Sequence, residues 1–276
     1  MSEPAEPVLP PEEPKMEVHH KLKPVHSWRE LLSEIGVVVI GVCIALAAEQ
    51  AVDWLHWRDK VSTARSAIAS ETATNLSYGI MRMRRAACTE KSLDTLAQTL
   101  DAASKSGSLP PVGEFGSARN NVMLSGQWDS LMSSETAAHF PADEVAGLSA
   151  IYVYGARYND RTLQEVDTIA QLDTMAGPGR KLDPESEARL REALSHERLN
   201  NRALSNYGVR IWQVVAQRHL KFSKEDFHLI DAAQRQPVSC PVAEIPAAGY
   251  GQAPWGSVLD DANEILAHPP QLQAGE

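Results

Sequence analysis

Three observations predict an all-α fold, with an N-terminal transmembrane helix continuing into an antiparallel helical bundle. The first is a charge-free apolar run, Ile35 to Ala48 (IGVVVIGVCIALAA), bounded by Glu34 and Glu49. The second is the absence of proline between Val25 and Leu109, so nothing there forces a helix to stop. The third is composition: Ala, Leu, Glu, Arg and Gln dominate the remainder, and aromatics make up only 6 % of the chain. That balance favours helices over strands.

Residues 1–26 open with MSEPAEPVLPPEEP, rich in Pro and Glu and without an apolar face. Such a segment buries too little surface to offset its ordering entropy, so a disordered cytoplasmic tail is expected. At Ser27 the character changes. Ser27 with Glu30 three residues on has the form of a helix N-cap. Residues 27–57 then read as the transmembrane helix with interfacial flanks. The apolar run is short for a bilayer, which needs roughly 20 residues. Leu31 and Leu32 extend it on one side, and Ala51, Val52 and Leu55 on the other. Trp28 and Trp54 would stand ~39 Å apart along a helix, close to the bilayer with its headgroups. Together with Trp57 they form the expected interfacial aromatic belts.

Two alternatives to a retained anchor stay open. Ala45-Leu46-Ala47 fits a signal-peptide cleavage pattern, which would release a secreted protein, although a leader of over 30 residues with two flanking glutamates is atypical. A buried core helix is the other, and it leaves the flanking tryptophans unexplained. Orientation follows from charge. Between Lys15 and Arg29, ahead of the run, Lys15, Lys21, Lys23 and Arg29 stand against Glu17 alone, while Asp53, Arg58, Asp59 and Lys60 behind the run cancel. The positive-inside rule then places the N-terminus in the cytoplasm and the C-terminal domain outside it.

Residues 58–235 read as a helical bundle. Val61, Ile68, Ala69, Leu76, Ile80 and Met83 recur near helical spacing, followed by Leu93, Leu96 and Leu100. A break near Gly79 fits the pattern. Residues 106–125 are rich in Gly, Ser, Pro and Asn and read as a loop. Gln127 to Phe140 reads as one short helix ending before Pro141. The next helix, over 142–176, has acids in its first turn and stops at Gly177-Pro178-Gly179. Asp183-Pro184 restarts a helix to about 220, and Ser223 caps a shorter one to about 235. Residues 236–276 read as a mostly irregular tail.

Trp28 to Arg58 (WRELLSEIGVVVIGVCIALAAEQAVDWLHWR) resembles the start of a family of uncharacterised bacterial membrane proteins. These carry one N-terminal membrane helix and a helical C-terminal domain. The stretch Ser125 to Leu131 (SGQWDSL) is similar to a turn in such proteins. The resemblance implies bacterial origin, the inner membrane, and a periplasmic domain; it implies no chemistry.

Net charge is −10 with both signs intermixed, and no dense basic block occurs, which argues against nucleic acid as a partner. Neither a phosphate-binding glycine loop nor an HExxH or GxSxG motif is present, and no Cys/His metal spacing occurs, so no cofactor or metal is assigned. Cys88 and Cys240 are the only pair available for a disulfide outside the cytoplasm; two free thiols are the alternative. Arg157, Arg161 and Tyr158 form a candidate pocket for a carboxylate ligand, against the plainer reading of a solvated helix face. Gly41, Ala45 and Ala48 form a small-residue stripe suited to a helix–helix contact, by self-association or with a protein partner. The functional expectation is a membrane-anchored, non-catalytic interaction or sensory module. The alternatives are a structural subunit of a membrane assembly and an enzyme with an unrecognised site.

Overall fold

Helix α1 runs unbroken over Trp28–Ser106, as the proline-free sequence predicts. The computed structural model describes residues 28–115, 121–218, 220–238, 264–269 and 272–274. The expected tail 1–26, the Ser27 cap and most of the stretch after residue 236 lie outside the described residues. Contacts divide the chain into Met1–Leu55 and His56–Glu276.

In the first unit the apolar run is helical and uncovered. Val37, Val38, Val39 and Ile40 point in four successive directions around the helix, yet they are 70, 65, 52 and 60 % exposed. Segment and flanks make one helix long and apolar enough to cross a membrane. Among the described residues, none of its apolar window is buried.

The second unit is a bundle of three long helices. Alongside the later part of α1 stand α3 (Ala142–Asp173) and α4 (Pro184–Gln217). The ion pairs Asp101–Arg191, Asp94–Arg198 and Glu90–Arg202 show α4 running antiparallel to α1. Contacts Arg65–Glu144, Glu71–Tyr152 and Arg82–Glu165 show α3 running parallel to α1. The chain between them makes the return. It pairs β1 (Ser108–Leu109) with β2 (Arg180–Lys181), then forms α2 (Gly126–Met132) and a 3-10 turn at Glu135–His139. The single helix expected over 127–140 is therefore two pieces. Ser133 and Ser134 turn their hydroxyls back onto the Asp129, Ser130 and Leu131 carbonyls and so end α2.

Asp183 caps α4 through the Glu185 and Ser186 amides, and Pro184 takes the first helical position. Helix α5 (Lys224–Arg235) opens with a capping box between Ser223 and Asp226. Before it, β3 (Lys221–Phe222) pairs in parallel with β4 (Gln273–Ala274).

Gly79, where a break was compatible with the sequence, does not interrupt α1. Gly79 faces Gly208 instead, where α1 crosses α4. A Cβ on Gly208 would stand 2.9 Å from the Gly79 carbonyl oxygen. The missing side chains are what let the two backbones touch.

The core has two apolar parts. One joins Ile68, Leu76, Ile80 and Met83 to Leu148, Ile151, Leu204, Ile211 and Trp212. The other joins Leu93, Leu96 and Leu100 to Leu172, Leu190 and Leu194. Between them in sequence, on α3 and α4, lie the buried polar residues Glu165, Thr168, Glu197, Asn200 and Asn201.

Candidate functional site

The buried polar residues form one layer across the bundle. Arg82 of α1 reaches Glu165 of α3 at 2.6 Å and donates to the Asn201 side chain of α4 at 3.1 Å. Asn201 in turn donates to the Ala86 carbonyl at 3.0 Å and to Glu90 at 3.2 Å. Asn200 donates to the Thr168 hydroxyl. These bonds join side chains on three helices, and losing any one of them would strand a buried polar group, so they fix the helices' mutual register.

Glu197 stands at the centre, fully buried. Neither of its oxygens meets a hydrogen-bond donor among the described residues. Burial pushes its carboxyl up to about 9; the adjacent Glu165 carboxylate adds to this, and Arg82 opposes it. Glu197 is therefore a protonated acid at neutral pH, its hydroxyl directed to Glu165, which Arg82 holds from the other side. No motif or spacing in the chain marks this pair. Glu165 and Glu197 are ordinary helix-surface residue types, and only the three-dimensional packing makes them neighbours.

A second polar cluster holds the SGQWDSL stretch. Glu71 of α1 accepts from the Gln127 and Trp128 amides at 2.9 and 3.3 Å, which caps α2 with a negative charge. It also accepts from the Tyr152 hydroxyl at 2.8 Å. Burial and the Glu71 carboxylate raise that phenol above the ordinary tyrosine range. Trp128 stacks on Tyr152 with ring centres 5.0 Å apart. Two asparagines grip the residues just before. Asn75 both donates to and accepts from the Leu124 backbone, and Asn159 does the same with Met123. The loop lies between α1 and α3 as if paired to a strand on each side.

A third feature is a cleft of about 810 Å³ walled by α1 (Ser62, Arg65, Ser66), the first turns of α3, and the link from α4 to α5. Arg65 makes two bonds of 2.7 Å to Glu144 and lies 5.1 Å from the Phe140 ring centre. The Glu144 hydrogen bond raises the Arg65 guanidinium further, against a smaller loss from burial.

The residues singled out from sequence fall in different places. Tyr158 faces the core, and burial pushes its phenol up to about 12. Arg157 is exposed. Arg161 contacts Gln164 and Asn200 and lines a shallow groove of about 300 Å³ with His196 and Leu199; neither Arg157 nor Tyr158 is among its walls. Trp28 and Trp54 are exposed, while Trp57 stacks on His139 at 3.9 Å with Lys60 over the indole. Gly41 has open space where a Cβ would stand. Cys43 is a free, exposed thiol. Cys88 is disulfide-bonded, and Cys240 lies outside the described residues. On α1, Arg84 donates to the Ala233 and Gln236 carbonyls and so closes the end of α5.

No family model, no curated protein and no solved structure matches this chain.

Proposed function

We propose that the chain is a single-pass, membrane-anchored helical module that acts by binding, as a sensor or interaction partner, with its C-terminal bundle on the outer face of a bacterial inner membrane. The observation that carries the reading is the apolar segment uncovered on every side. In water such a cylinder is strongly unfavourable; in hydrocarbon it is at home. Orientation rests on the excess of Lys and Arg before the segment. The disulfide at Cys88 supports an oxidising compartment for the bundle, and we pair it with Cys240. A non-catalytic role is supported by the polar layer, whose Glu165, Glu197 and Asn201 side chains are closed off from any reactant. Self-association of the anchor draws on the Gly41, Ala45 and Ala48 stripe, where Gly41 is open to a neighbouring helix.

Reporter fusions after Glu276 test the arrangement. An alkaline phosphatase fusion is expected to be active and a fluorescent-protein fusion dark. The reverse pattern would place the bundle in the cytoplasm and remove the orientation.

A further inference from the structure

The cleft between α1, α3 and the α4–α5 link has features of a ligand site that neither the bundle nor its caps require. Its volume, about 810 Å³, lies in the range of small-molecule pockets. Its walls are of two kinds. Leu220 supplies half-buried apolar surface, backed by the buried Ile68, Ala69, Leu148 and Phe222, while Arg218 and Lys221 supply cations.

The cations are not used up by the fold. Arg65, a third one in the cleft, is neutralised by its two bonds to Glu144. The side chains of Arg218 and Lys221 make no hydrogen bond or ion pair among the described residues. Asp143 is the remaining acid in the wall, which leaves an excess of one positive charge. Arg218 is also placed deliberately. Its side chain lies across Gly147 of α3, so close that a Cβ there would stand 2.7 Å from Nε and 2.8 Å from Cδ. The glycine admits the arginine stem to the cleft wall. The stem packs against the helix and the guanidinium keeps its donors for something else.

We propose that this cleft binds a small amphiphile with an oxyanion head, carboxylate or phosphate, held by Arg218 and Lys221, and a short apolar tail against Leu220 and the aliphatic stems beside it. The planar guanidinium fits either head in two-point fashion, and the ammonium adds charge without geometry. The assignment rests on the sensory reading above and names its ligand class. It does not depend on which side of the membrane the bundle occupies.

The test uses the full chain in lipid nanodiscs, titrated calorimetrically with octanoate, octyl phosphate and octanol, with empty nanodiscs as the blank for partitioning. Saturable binding of octanoate or octyl phosphate above the blank is expected, and the tighter of the two identifies the head. Arg218→Ala should weaken it about tenfold or more, the loss of one charge-assisted two-point contact. Gly147→Val, which pushes the Arg218 stem out of place, should weaken it as well, with the helical circular dichroism unchanged. Octanol should not exceed the blank. Binding no different from empty nanodiscs, equal binding by wild type and Arg218→Ala, or octanol binding as tightly as the anions would each overturn the proposal. None of these results bears on membrane orientation, which the reporter fusions read separately.

Discussion

Replacing Glu197 with Gln should stabilise the protein at neutral pH and flatten its pH dependence. In the unfolded chain the Glu197 carboxyl titrates at 4.5; in the bundle, burial beside Glu165 raises it to about 9. A folded-state value above the unfolded one means that the native state binds the proton more tightly. The contribution to stability is complete below pH 4.5 and is lost progressively as the pH climbs from there through about 9. Each unit costs about 1.4 kcal/mol, so by pH 7 the wild type has given up about 3 kcal/mol of its low-pH stability through this group. That is a large share of the 5–15 kcal/mol typical of a folded domain. The amide of Gln donates to Glu165 as the protonated acid does, but has no proton to lose. The other charges near the site are Arg82, Arg85 and Glu90 on α1, Glu165 on α3 and Arg202 on α4. They are common to both proteins, so their titrations cancel in the difference. Denaturant unfolding of the full chain in detergent micelles, followed at 222 nm from pH 5 to 8, measures it. The two proteins should be nearly equal at pH 5 and diverge steadily towards pH 8, the variant being the more stable. Parallel profiles, or a variant destabilised equally at every pH, would refute the protonated pair.

Gly208→Ala should destabilise by roughly 1–3 kcal/mol, because the new methyl meets the Gly79 backbone, which has no rotamer to give; a lowered unfolding midpoint with unchanged slope checks it. Glu71→Ala strips the Tyr152 hydroxyl and the Gln127 and Trp128 amides of their acceptor, at a cost of about 2–4 kcal/mol. Its local signature is faster hydrogen exchange over residues 121–132, whereas an unchanged exchange pattern there would mean that Glu71 does not hold the loop. With Cys88 paired and Cys43 free, alkylation of the unreduced, denatured protein should add one label, and alkylation after reduction three; three labels without reduction would remove the Cys88–Cys240 pairing.

The long elements were legible in the sequence because they obey simple rules. Proline absence set the length of α1, Asp183-Pro184 and Ser223 marked the starts of α4 and α5, and spaced leucines marked the buried faces. What was not legible depends on which helix faces meet. Gly79 reads as a helix breaker until Gly208 is placed opposite it. Arg82 reads as part of a surface charge cluster until Glu165 and Asn201 arrive from two other helices. Glu71 reads as one more helix-surface acid, although it is what anchors the SGQWDSL turn. The Gln127–Phe140 stretch was misjudged because Ser133 and Ser134 compete for backbone carbonyls, which residue propensity alone does not register. The cleft was missed because Gly147 and Arg218 are far apart in the chain and neither belongs to a motif.

Membrane anchoring requires that the apolar segment from Ile35 to Ala48 stay in the mature chain. The intact mass of the protein purified from carbonate-washed membranes, together with its N-terminal sequence, reads this directly. The predicted result is a membrane-bound chain that still contains Trp28 to Arg58. A soluble product beginning at Ala48, just after Ala45-Leu46-Ala47, would contradict it and make the segment a signal peptide.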